Sequence, residues 1–191
     1  MTVFDLLVVF IQGIWAVSEF VIYRKMRSNA GNADQKSYKV LYWIAIVSLV
    51  IGISVGNLAK FGLLQGGYSP KRIYPILGIC LMVLGMVIRW TAIHQLRHFF
   101  TINVAIQQDH RLITDGWYRI LRHPAYLGGI LTFIGCGISY GNLISGLVIP
   151  VPYILLILNR IEVEEVVLEG EFGDEYRDME KRTKKLIPFL Y

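Results

Sequence analysis

The 191-residue sequence predicts an all-α integral membrane protein. It has about five transmembrane helices, the last two folded as a helical hairpin, and a cytoplasmic C-terminal helical tail. Three observations carry this. The chain is 54% hydrophobic and only 17% charged, with mean hydropathy +0.50, where soluble domains carry about 25% charged residues. Several apolar runs reach the length of about 20 residues that a helix needs to cross a bilayer. The basic residues also fall unevenly along the chain, which gives an orientation. The length suits one membrane domain over residues 1–191, with N-terminal spans in 1–79.

The first span runs from about Val3 to Tyr23, with Asp5 near its start and Glu19 near its end. Its beginning lacks the cationic start and the cleavage site of a signal peptide, so the span is expected to be retained. A polar loop flanked by Arg24, Lys25, Arg27, Lys36 and Lys39 follows. Val40 to Ala59 is uncharged, and its Gly52 and Gly56 form a small-xxx-small pair that allows close helix approach. Gly62 to Pro75 is turn-rich. The third span runs from about Ile73 towards His98 and contains Arg89, a cation that needs a partner or a route to water.

Pro124 to Asn159 is uncharged throughout and too long for one span. Gly141-Asn142 is a turn signal near its middle. The expected hairpin arms are Ala125–Tyr140 and Leu143–Arg160, with Pro150 and Pro152 kinking the second. Five spans with the N-terminus outside put the Arg24–Lys39 loop, the 98–124 segment and the basic tail on the cytoplasmic side. Only Lys60, Lys71 and Arg72 remain opposite. The net charge of +5 therefore reads as attraction to anionic headgroups rather than to nucleic acid. Cys80 and Cys136 lie in apolar runs and read as inert core residues.

The chemistry concentrates around Gly116-Trp117-Tyr118-Arg119-Ile120-Leu121-Arg122-His123-Pro124-Ala125-Tyr126-Leu127-Gly128-Gly129. Pro124 suits the first turn of a helix. That helix would begin beside Arg122 and His123, at an end that favours anions. The stretch reads as the rim of a cofactor pocket at a membrane surface or, more simply, as a basic–aromatic anchor. Gln107 and His110 could hydrogen-bond a ribose or an amino-acid end, or belong to a solvated loop. Arg160 and Glu164 lie one helical turn apart. They either pair with each other or take a substrate carboxylate (Arg160) and an ammonium or ribose hydroxyl (Glu164). Glu165 points elsewhere on that helix. His94 and His98 share a face, but Arg97 between them opposes a cation, and no metal is expected. In the tail, Leu168, Phe172, Tyr176 and Met179 recur at helical spacing, as in a surface helix or lid.

Taken together these pieces resemble the isoprenylcysteine carboxyl methyltransferase family and, at longer range, the phospholipid methyltransferases. Phe99-Phe100-Thr101-Ile102-Asn103-Val104 is followed by Gln107 and by His110-Arg111-Leu112-Ile113. Gly116-x-Tyr118-Arg119 leads into Arg122-His123-Pro124-x-Tyr126-x-Gly128. Then come Arg160-x-x-x-Glu164-Glu165, Phe172-Gly173-x-Glu175-Tyr176, Arg182 and Leu186-Ile187-Pro188-Phe189. The resemblance covers about residues 80–191 and makes that stretch the methyltransferase cassette.

It implies S-adenosylmethionine as methyl donor, with S-adenosylhomocysteine as product. By position, the cofactor contacts would be Gln107, His110, Arg111, Leu112, Ile113, Tyr118, His123, Pro124, Ala125, Tyr126 and Glu164, and Arg160 would meet the substrate carboxylate. The acceptor would be a prenylated cysteine or similar lipidic thioether. The short N-terminal region implies a prokaryotic cell membrane, or the endoplasmic reticulum if the chain is eukaryotic. A phospholipid N-methyltransferase is the alternative, and an NADPH-dependent sterol-reductase-like enzyme a more distant one.

Overall fold

The computed structural model describes residues 3–26, 32–64, 68–96 and 112–187. Its elements are α1 (Val3–Met26), α2 (Asn32–Lys60), α3 (Ile73–Leu96), a 3-10 turn (Gly116–Arg119), α4 (Pro124–Ser139), α5 (Leu143–Val148), α6 (Pro150–Phe172) and α7 (Asp174–Arg182). Among the described residues four segments are long and apolar enough to cross a membrane: Val3–Ile22, Tyr42–Lys60, Ile73–Leu96 and the α5–α6 run Leu143–Phe172. α4 is apolar but has 16 residues, about 24 Å of helix. It reaches less far than its neighbours. The chain is an integral membrane protein, and its exposed Val, Leu, Ile and Phe side chains on α1, α2 and α3 are those that lipid would cover.

Helix boundaries depart from the hydropathy reading in instructive ways. α2 begins at Asn32, eight residues ahead of the apolar run at Val40, because helix continues out of an apolar core for as long as no breaker intervenes. The second hairpin arm is two helices: Ile149, fully buried, ends α5, and Pro150 takes the first position of α6, where its missing N–H does no harm. α6 then runs on past Arg160 to Phe172. The tail is not one amphipathic helix, since Gly173, at φ +53°, turns the chain between α6 and α7. Cys136 is buried as expected, but Cys80 is exposed on the outer face of α3.

Small residues set the packing. The α3–α4 interface is the most extensive in the molecule. Gly78 and Gly85 face Gly135 and Gly128 across it. A Cβ on Gly85 would lie 2.5 Å from the Gly128 carbonyl oxygen, and one on Gly78 2.6 Å from that of Gly135, so these backbones touch directly. Gly52 and Gly56 of α2 likewise receive Ile149 and the Tyr140 ring. At the centre, Phe133 stacks on Tyr153 at 3.9 Å and meets Trp15 edge-on at 5.2 Å.

The bundle has two distinct ends. At one, Ser69 N–H donates to the Gly141 carbonyl at 2.8 Å, Tyr68 bridges to Asn142, and Lys60 pairs with Asp5. At the other, residues 120–123 and 184–185 run side by side as a short parallel ladder. Arg122 N–H donates to Lys184 O at 2.8 Å, Lys184 N–H to Ile120 O at 2.9 Å and His123 N–H to Lys185 O at 3.2 Å. The start of α4 and the chain after α7 thus share one end, as the charge pattern predicts.

Candidate active site

The start of α4 is held from both sides. Arg89 of α3 forms a two-point ion pair with Glu19 of α1, Nη2 donating to Oε2 at 2.8 Å, and gives its Nη1 to the Ala125 carbonyl at 3.0 Å. The cation inside the third span therefore has its partner, and together they fix the first turn of α4. On the approach, Gly116 adopts φ +59°, and the Gln95 side chain fills the place a Cβ would need. Gln95 also accepts the Trp117 N–H at 3.0 Å, while the Trp117 indole donates to Thr91 at 2.8 Å. Tyr118 is buried among Ala92, Ile93, Ala125 and Met179, with Leu112, Ile113 and Trp117 packed against them. Burial, and then the Glu164 charge, hold its phenol well above the ordinary tyrosine value, so Tyr118 stays neutral.

The hairpin closes here. Tyr126, in the first turn of α4, donates its hydroxyl to Glu164 Oε2 at 2.6 Å and accepts from Arg160 Nε at 3.0 Å. One phenol thus joins the cation and the anion of α6. His123 stacks on Tyr126 with ring centres 5.7 Å apart. Its Nδ1 lies 3.9 Å from Glu164 Oε1. Its Nε2 donates to Glu165 Oε1 at 3.2 Å, since an ionised carboxylate can only accept.

Glu165 is the residue the sequence reading misplaced. It does not point away from the cluster. Besides His123 it takes Arg122 Nε at 2.8 Å and Lys185 Nζ at 2.8 Å. Arg122 also donates to the Thr183 and Glu180 carbonyls at 3.1 and 3.3 Å. Glu165 therefore ties α6, the start of α4 and the segment after α7 into one unit. In the sequence Arg122 and Lys185 lie far along the chain on either side of Glu165. What sequence could not supply was that the chain folds back to bring them together.

Of the predicted site residues, His123, Pro124, Ala125, Tyr126, Arg160 and Glu164 converge at this end of the hairpin. Tyr118, Leu112 and Ile113 sit beside it, around α3 and the first turn of α4. Gln107, His110 and Arg111 lie outside the described residues, as does His98. Gly128 and Gly129 accommodate the Gly85 backbone and the Tyr153 hydroxyl.

Fold and site together define a polytopic helical membrane protein with a polar, ion-paired centre at one end of a helical hairpin. Residues 77–170 match the family model of isoprenylcysteine carboxyl methyltransferase (ICMT). That stretch, just under half of the chain, carries a likeness to this family, and a methyltransferase family implies a methyl donor. The chain is 32% identical over 115 residues to protein-S-isoprenylcysteine O-methyltransferase B of Arabidopsis thaliana, covering 59% of this chain and 58% of that one. It is 32% identical over 120 residues to protein-S-isoprenylcysteine O-methyltransferase of Schizosaccharomyces pombe, covering 62% and 51%. Its fold is similar to the solved eukaryotic intramembrane Ras methyltransferase ICMT, with a TM-score of 0.61 at 26% identity, over 94% of this chain and 64% of that one. The chain thus spans little more than half the length of these two sequence relatives.

Proposed function

We propose that this protein transfers a methyl group from S-adenosylmethionine to the carboxylate of a prenylated cysteine or a similar lipidic thioether. The reaction would run at the cytoplasmic end of the bundle, in a prokaryotic cell membrane, with residues 80–191 as the catalytic cassette. One observation carries the reading: the Arg160–Tyr126–Glu164 hydrogen-bonded chain brings a cation and an anion from one arm of the hairpin against the start of the other.

The residues present suit the donor. Glu164 keeps one oxygen beyond its bond to Tyr126, is partly open to the exterior, and matches an ammonium or a ribose hydroxyl. Arg160 is the cation in reach of an acceptor carboxylate, and its planar fork suits two-point recognition of that group. When bound, the donor supplies an activated sulfonium methyl. The acceptor oxygen forms the new C–O bond as the S–CH3 bond breaks and its electron pair returns to sulfur. No proton moves, so a carboxylate acceptor needs no general base. What the chain must contribute is alignment and exclusion of water, and the buried His123, Tyr118 and first turn of α4 are placed for that. The lipid tail would reach the site sideways between spans.

The test is calorimetric titration of the purified protein in detergent with S-adenosylhomocysteine and, separately, NADPH. Transfer of labelled methyl to a prenylated cysteine and to phosphatidylethanolamine is then measured. Saturable S-adenosylhomocysteine binding and transfer to the thioether carboxylate are expected. NADPH binding in place of the nucleoside, or transfer to the amine lipid alone, overturns the proposal.

A further inference from the structure

α7 brings a polar group into the site that neither the resemblance nor the hydrogen-bonded chain accounts for. Tyr176 is 3% exposed, yet its hydroxyl has no hydrogen-bond partner among the described residues. A buried hydroxyl left unmatched costs about 1–3 kcal/mol, so its retention needs a reason. Packing alone does not provide one, because phenylalanine would fill the same space. The charges acting on this hydroxyl are those of Glu165, Arg122, Glu164 and Glu180, and burial first, then Glu165, holds its proton on. The phenol is therefore a neutral group that can donate and accept. The helix that carries it is tied to the cluster at the end of the hairpin through Arg122, which donates to the Glu180 carbonyl and to Glu180 Oε1, both at 3.3 Å.

We propose that the Tyr176 hydroxyl is completed by the bound methyl donor and hydrogen-bonds its amino-acid end. The inference rests on the methyltransferase reading above. The assignment to that end follows from the surroundings. Charges of both signs ringing one neutral hydroxyl match a zwitterionic ammonium and carboxylate, whereas an adenine ring asks for flat apolar surface. α7 is then a cover whose polar contact forms only when donor is present, and Gly173 is the point about which it is set on α6.

Tyr176→Phe tests this, because it removes one oxygen and keeps the ring. Affinities for S-adenosylhomocysteine and for 5′-methylthioadenosine, which lacks the amino-acid end, are measured by calorimetry in detergent. The thermal midpoint of the ligand-free protein is measured alongside. The expected result is S-adenosylhomocysteine weakened about five- to tenfold, 5′-methylthioadenosine unchanged, and a ligand-free midpoint equal to wild type or higher. Unchanged S-adenosylhomocysteine affinity overturns the proposal, and so does equal weakening of both ligands. A lowered ligand-free midpoint also overturns it, since the hydroxyl would then serve the protein's own fold. Failure of the wild type to bind S-adenosylhomocysteine at all is a different result: it removes the methyltransferase reading, and this inference with it.

Discussion

The two ends of the α4–α6 hairpin solve the same problem with different chemistry. Both must close two helices whose backbones would otherwise leave polar groups unpaired in an apolar medium. At the Gly141–Asn142 end the closure is short, neutral and local. Gly141 takes φ +58°, Asn142 Oδ1 caps the Ser145 N–H at 3.0 Å, and Ser145 Oγ donates to the Gly52 carbonyl at 2.8 Å. At the other end, no tight turn joins the helices. Long charged side chains from three separate segments meet around Tyr126, His123 and Glu165. A merely structural closure needs nothing so elaborate. The neutral end shows how cheaply this fold caps a hairpin, which makes the charged end the place to test for a role besides stability.

That contrast makes sharp predictions. The largest effect is expected for Arg160→Ala: carboxyl transfer falls by at least about 100-fold, as for loss of a buried charge-assisted contact, while most S-adenosylhomocysteine affinity remains. The paired variant Glu164→Ala should do the reverse at smaller amplitude, weakening S-adenosylhomocysteine about tenfold or more. Full turnover in both variants would remove the roles assigned to this end. Next in size is Glu165→Ala, which removes the carboxylate shared by Arg122, Lys185 and the buried His123. It should cost about 2–3 kcal/mol, read as a lowered thermal midpoint and faster proteolysis of the segment after α7. An unaltered midpoint would show that Glu165 does not hold that segment.

The fold was legible in sequence to the extent that it rests on local rules. Apolar runs marked α1, α2 and α3, Gly141-Asn142 marked the turn, and Pro124 opened a helix, where its missing N–H does no harm; Pro150, read as a kink, instead starts a new helix. Arg89 announced that it needed a partner, and Glu19 was the anion on hand. The charged cluster was legible where one element carried two of its members, as α6 does with Arg160 and Glu164. It was illegible where the relation runs through a chain reversal. Glu165 meets Lys185 only because Gly173 turns the tail back over α6, and Tyr176 becomes a buried group for the same reason. Helical spacing grouped Tyr176 with Leu168, Phe172 and Met179, but spacing has no means of saying that Gly173 would break that stripe and bury Tyr176 beside charged neighbours.

The smallest predicted effect tests the neutral end by itself. Asn142→Ala deletes the cap on Ser145 N–H and leaves the Ser145–Gly52 contact in place. Loss of such a cap costs about 1 kcal/mol. Asn142 Nδ2 has no partner among the described residues, and losing that atom offsets part of the cost. The thermal midpoint should therefore fall by a few degrees at most, while S-adenosylhomocysteine affinity and methyl transfer stay at wild-type values. α4 is one rigid rod about 24 Å long, so a disturbance that altered the donor site from its far end would have to tilt the whole helix. The direct backbone contacts of Gly128 and Gly135 with α3 oppose such a tilt. A change in donor affinity as large as that of Glu164→Ala would mean that the two ends are coupled through α4, and that the separation of closure from chemistry argued here does not hold.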